Sequence, residues 1–186
     1  MKQHQVPSYL HELFGEKQSS GVMIMIFLFG GVLTALLYVV FPEMTSALPV
    51  WRSVLALLLI FDVFCGCIAN FTASTSNFYA TRKRTRLIFI SVHIHVILIA
   101  LLLSNDIVHA LIVWAYTIAS AFIVNALIGR QSQLVTAGLL LSIGLGCMPM
   151  LPDIPPYMLI ISSLFMLKVM FSFAVDHYNQ ARQQLR

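Results

Sequence analysis

Charge is scarce in this sequence and stays out of its longest stretches. The chain of 186 residues carries 11 lysines and arginines and 7 aspartates and glutamates, so 10% of it is charged against 59% hydrophobic. A soluble domain of this length has too little interior to hide so much apolar surface, which leaves lipid as the solvent. Cysteine is also sparse, at three residues, and this excludes a disulfide-stapled secreted scaffold. Two-residue alternation is missing from the apolar stretches, and this excludes a β-barrel of alternating strands about ten residues long.

What remains is six continuous apolar runs, roughly at 21–41, 53–69, 87–103, 107–128, 133–149 and 157–175. Each has about 17 to 22 residues, which at about 1.5 Å rise per residue matches a hydrocarbon core of about 30 Å. The expected fold class is all-α: a polytopic transmembrane bundle of six helices forming a single integral membrane domain over 1–186. The polar segment 1–20 precedes it. No small-residue cleavage pattern follows the first run, so it reads as a retained span rather than a signal peptide.

The net charge of +4 does not point to a nucleic-acid partner here, because the position of the charges outweighs their sum. With the N-terminus inside, the inner segments hold Lys2, Lys17, Arg82, Lys83, Arg84, Arg86, Arg130, Arg182 and Arg186, and the outer loops hold Arg52. Positive-inside bias then puts both termini in the cytoplasm, most simply of a bacterial inner membrane. Asp106 and Asp153 fall in outer loops, where acidic residues carry little weight in this rule. Pro42, Pro49, Pro149, Pro152, Pro155 and Pro156 all fall at or near outer ends, Pro7 lies inside, and none interrupts a span. Broken-helix transporters place paired breaks near the membrane midplane, and the sequence shows no such pair and no repeat between its halves.

Two segments belong at the inner surface. Tyr9, Leu10, Leu13 and Phe14 recur at helical spacing after Pro7 and Ser8, with Gly15 as a stop, and predict a short surface helix; a disordered tail is the alternative. The stretch from Asn70 to Arg86 ends in the basic run Arg82, Lys83, Arg84 and Arg86, a cluster suited to anionic lipid head groups, although orienting the third span explains it alone. Asn70, Phe71 and Thr72 spell a glycosylation sequon that is silent on the cytoplasmic side.

Four ionisable side chains lie deep in the apolar runs: Asp62, His93, His95 and Lys168. Counting residues from the inner boundary places all four in one layer of the inner half, roughly 12 Å above it for Asp62. Charges at that depth face the bundle interior and pair. Asp62 and Lys168 form the obvious ion pair. Asp62, Cys65, Gly66 and Ala69 share one face of the second helix, and Lys168, Ser172 and Asp176 form a stripe on the sixth. His93 and His95 stand about 200° apart on an ideal helix, so one of them at most turns to the site.

Three readings of this layer compete. It is a structural ion pair, or a proton- or ligand-binding site using Asp62, one histidine and Lys168 with Asn70 nearby, or a metal site. The metal case uses Asp62, His93, His95 and Cys65, a mixture that Zn or Cu accepts. Haem is disfavoured, since His109 and His177 lie near opposite membrane ends from the layer. Cys65 and Cys67 read as packing residues, and Cys147 is too far in depth to bridge them. Gly30, Gly31, Gly138, Gly144 and Gly146 read as close helix approaches. No Gly-x-Ser-x-Gly elbow, no His-Glu-x-x-His and no facing pair of aspartates is present, so the chain inclines away from an enzyme.

The sequence therefore predicts a membrane bundle whose inner half encloses a polar pocket open toward the loop between the second and third spans. Its first functional reading is small-molecule or proton-linked transport or ligand binding, with no cofactor. An intramembrane metal-dependent enzyme acting on a lipid-like substrate is the rival. A non-catalytic assembly protein is the third, its partner a second copy or another membrane helix. The expected partners are the bilayer itself and anionic lipids at the inner surface.

Overall fold

A computed structural model describes residues 3–105 and 107–179. Lys2, Asp106, Arg182 and Arg186 of the charge pattern lie outside the described residues. The chain is helical, with six helical segments among the described residues long and apolar enough to cross a membrane.

The chain starts with a small cap. β1 (Gln3–Gln5) pairs antiparallel with β2 (Lys17–Ser19), Gln3 opposite Ser19. Between them lie a 3-10 turn (Ser8–Leu10) and α1 (His11–Phe14), so the expected surface helix is there but only about one turn long. Ser19 ends the cap and starts the first span, α2 (Ser20–Val40), its hydroxyl accepting from the Val22 N–H at 3.3 Å. A short α3 (Glu43–Ser46) turns the chain at the far end. The second span is α4 (Val50–Ala69), preceded by Pro49, where a missing N–H costs nothing. After it comes α5 (Ala73–Ala80), which the sequence had as loop, with Thr72 as its cap.

The cap is bolted to α5 by polar groups. Tyr79 donates to Glu12 O and Thr75 to Leu13 O, each at 3.1 Å, satisfying carbonyls at the open end of α1. Burial pushes the Tyr79 phenol up, which keeps it a donor. Arg82 bridges to Glu16 at 2.9 Å. Gly15, at φ +70°, lies so close to Ser74 that an added Cβ would stand 2.4 Å from its carbonyl carbon. Gly15→Ala should therefore loosen the cap by about 1 to 3 kcal/mol, seen as loss of amide-exchange protection across residues 3–19 with the spans unaffected; unchanged protection would refute the docking.

The third span departs from expectation. A continuous helix over 87–103 is predicted, but α6 (Lys83–Val92) ends and α7 (His95–Leu102) begins anew, with His93 and Ile94 out of helical geometry between them. Neither proline nor glycine causes this. The His93 ring donates from Nδ1 to Phe89 O at 2.5 Å, taking the carbonyl its own backbone N–H would have used in a helix, while that N–H turns to Ile90 O at 3.4 Å.

α8 (Ile107–Ala126) and α9 (Ser132–Cys147) form the fourth and fifth spans, the latter extended by a 3-10 turn (Met148–Met150). The sixth starts as α10 (Pro156–Met166) with proline at its first position and widens into a π-helix, Leu167–Phe173. It is the central helix: 61% of its spanning window is buried, against 22% for the first and fifth. α4 packs against α2, α7, α10 and the π-helix, so the second span shares the centre. The break in the third span and the π-helix in the sixth flank the layer where the four ionisable groups were placed.

Candidate functional site

The polar layer assembles around Asp62. Lys168 Nζ lies 2.7 Å from Asp62 Oδ2 and 3.4 Å from its backbone oxygen. His95 Nε2 lies 3.2 Å from the same Oδ2. Two donors from two helices therefore converge on one carboxylate oxygen.

Each partner reaches this point through a local irregularity. Lys168 is 3% exposed and sits on the second residue of the π-helix, whose wider turn redirects side chains relative to an α-helix. Its stem crosses Gly66 on α4, where an added Cβ would stand 2.3 Å from Lys168 Cε. Ser172 Oγ donates to Cys67 O at 2.8 Å and Cys67 Sγ to Leu164 O at 3.1 Å, pinning the two central helices together beside the pair. His95 opens α7, and the turn before it brings the His93 and His95 rings to 5.1 Å between centroids. The 200° separation on an ideal helix does not apply across the break. His93 is buried, packed on Phe89 at 4.0 Å, and Phe89 stacks on Phe173 at 3.8 Å.

The other sequence candidates go elsewhere. Cys65 turns from the cluster to the first span, its Sγ 3.6 Å from Ile26 O and against Gly30, because three residues of helix rotate it off the Asp62 direction. Among the described residues no three His, Cys, Asp or Glu side chains gather as a metal site would need. Asn70 is buried at the end of α4 beside Thr75, Ser76, Tyr79, Arg86 and Phe173, two helical turns from Asp62, with its Nδ2 unpartnered. Asp176 leaves the Lys168 stripe, since the π-helix breaks the four-residue spacing; its N–H donates to Gln133 Oε1 at 3.3 Å. The route toward the loop, where the polar pocket was expected to open, is roofed by α5 and the cap: Thr75, Ser76 and Tyr79 are all buried there.

The basic run divides. Arg82, Lys83 and Arg84 are exposed, but Arg86 is 4% exposed. One helical turn past Arg82, it points inward rather than to head groups. Its Nε donates to Asn125 Oδ1 at 2.7 Å and an Nη to Phe173 O and Ala174 O at 3.0 and 2.8 Å. Gln133 Nε2 adds bonds to Val124 O and Ala174 O at 3.1 and 3.2 Å. Spans three to six are thus clasped at this end around the carbonyls freed where the π-helix stops. Asn125 and Gln133 were not singled out from the sequence; a polar residue closing an apolar run was the available signal. At the opposite end Arg52 donates to Leu101 O and Ser104 Oγ at 2.5 and 2.8 Å, tying the second span to the third.

His177, just past the sixth span, adds a pH dependence to this end. Burial lowers it from the ordinary histidine value of 6.5, against the smaller opposing effects of its bond to Phe171 O and of Asp176. A group lowered in the folded state binds its proton more readily when unfolded. The stability it contributes is full above about pH 6.5 and is lost as pH falls below that value. Thermal unfolding in detergent should therefore show a smaller drop from about pH 7 to about pH 5 in His177→Gln than in the wild type; parallel curves would refute this.

No family model, curated protein or solved structure matches the chain, so the site's chemistry rests on the geometry above.

Proposed function

We propose that this multi-pass chain binds and releases a small molecule in step with a proton at Asp62 and His95, as a proton-linked transport or ligand-binding protein. Lys168 serves as the fixed counter-charge, and the broken third span supplies the part that moves. The observation that carries this reading is the unequal burial of the pair: the Lys168 side chain is 4% exposed, whereas Asp62 is 39% and His95 24% exposed. Hiding both partners of an ion pair costs desolvation that only good geometry and further hydrogen bonds repay, and a carboxylate left half-exposed stays open to a proton or a ligand. Here the cation is sealed in, whereas Asp62 and His95 reach the surface of the bundle.

Two further features support it. His95 Nδ1 is buried without a hydrogen-bond partner, an unsatisfied ring atom that a purely structural cluster would pair and a functional site can leave open. Irregular backbone flanks the cluster on both sides, and such backbone at membrane depth is tolerated where it lines a functional space. The basic end reads as cytoplasmic, with Lys17, Arg82, Lys83, Arg84 and Arg130 against Arg52 at the other, and the exposure of Lys83 and Arg84 supports contact with anionic head groups of a cell membrane.

The test is a pH titration of histidine-labelled full chain in nanodiscs by nitrogen NMR. His95 should titrate with water, and Asp62→Asn should move its midpoint. Exchanging Asp62 and Lys168 should recover folding stability without recovering that titration. A His95 signal flat across the range, or one indifferent to Asp62, would leave a structural pair in place of a proton site.

A further inference from the structure

The Asp62 carboxylate spends one oxygen on both of its neighbours. Lys168 and His95 each meet Oδ2, and among the described residues no hydrogen bond reaches Oδ1. Its direction follows from the surface around it. On α4, Trp51, Leu55 and Leu58 are 61%, 45% and 57% exposed and lead at helical spacing to Asp62. On the third span Ile94 and Leu98, flanking His95, are also exposed. The acid thus lies on the outward apolar stripe of a spanning helix, at a depth where an oxygen left without a donor is costly.

We infer that the exposed face of the second and third spans around Asp62 receives an amphiphile from the lipid phase, its neutral hydroxyl head donating to Asp62 Oδ1 and its chain lying along the stripe of Leu55 and Leu58. This rests on the proton- and ligand-binding reading above and adds the ligand class and the route. Neutrality follows from the charges present. Lys168 already balances Asp62, so the open oxygen calls for a hydrogen-bond donor and not for a second cation. Laterality follows from the surface: the residues leading to Asp62 on α4, and Ile94 and Leu98 beside His95, are exposed along the side of the bundle.

The experiment uses the histidine-labelled full chain in phosphatidylcholine nanodiscs, with dodecanol, its methyl ether, dodecylamine and ethylene glycol as probes. Dodecanol should shift the His95 signal saturably and the methyl ether should not. Leu58→Trp, which puts a bulkier ring on the stripe one turn before Asp62 and leaves Asp62, His95 and Lys168 in place, should weaken dodecanol by about tenfold or more, with His95 still titrating. Equal shifts from alcohol and ether would remove the donor requirement and overturn the inference, and so would binding indifferent to Leu58→Trp. Dodecylamine binding at least tenfold tighter than dodecanol would overturn the neutral head. Ethylene glycol acting from water as well as dodecanol would overturn the lateral route yet keep the Asp62–His95 site. Cross-linking between copies through Leu58→Cys in every nanodisc would show a second chain covering the acid, and would overturn the amphiphile. A His95 signal that fails to titrate at all removes both this inference and the reading beneath it.

Discussion

Asp62→Leu should cost about 3 to 5 kcal/mol of stability, the range found when one partner of a buried ion pair is removed. Lys168 is the reason. It is 3% exposed, its ammonium is bound to Asp62 Oδ2 at 2.7 Å, and its other acceptor among the described residues is the Asp62 backbone oxygen at 3.4 Å. Without the carboxylate a full charge is left in a dry, packed centre. The double variant Asp62→Leu with Lys168→Met removes both charges and should recover most of the loss. The measurement is denaturant unfolding in mild detergent. A single variant within about 1 kcal/mol of wild type would mean that the ammonium escapes to solvent. A double variant as unstable as the single would mean that the loss comes from packing instead.

Gly66→Ala should produce the second large effect, through the same lysine. A methyl group there would lie 2.3 Å from Cε, 2.8 Å from Cδ and 2.9 Å from Nζ of Lys168. The side chain is flexible, but its surroundings are not, so it can yield only by leaving Asp62. The alanine variant should lose about 2 to 4 kcal/mol and should not add to Lys168→Ala, because the clash disappears when the side chain stops at Cβ. Additive losses would show that Gly66 serves the backbone and not the lysine. Gly138 provides the control: its added Cβ meets nothing within 4 Å, and Gly138→Ala should shift stability by no more than about 1 kcal/mol, the helix-propensity difference.

Gly66 also shows where sequence reading stops. In the sequence it is a small residue between two cysteines in an apolar helix, and helix packing explains it well enough. Its role is visible only when the sixth helix is laid across it. The four-group layer, by contrast, was legible in advance, since depth in a membrane follows from residue counts at a fixed rise per residue. Which side chains meet was legible only in part. Asp62 with Lys168 followed from charge alone, but the inclusion of both histidines did not, because helical angles were counted through a helix that breaks at His93. No proline or glycine announces that break. It comes from a side chain competing with its own backbone for the Phe89 carbonyl, alongside the stacking of Phe89 on Phe173.

Arg86 teaches the same lesson at the bundle's end. Four basic residues within five positions look alike to a charge count, and three of them do face outward. The fourth follows Arg82 by one helical turn and enters a gap where carbonyls are left free by the π-helix. Its partner Asn125, and Gln133, which shares the Ala174 carbonyl with it, come from two further spans, tens of residues away in the chain.

Hydropathy and length thus determined the membrane class, the number of spans, their limits to within a few residues and the grouping of the four ionisable residues at one level of the bundle. These properties depend on each segment's own partition between water and lipid, and neighbours hardly alter that. Side-chain direction is different in kind. The turn at His93, the widened sixth helix, the crossing of Lys168 over Gly66 and the outward face of Asp62 depend on which helices touch and at what angle. Those contacts are set by packing among segments far apart in the chain, and no local pattern of residues records them.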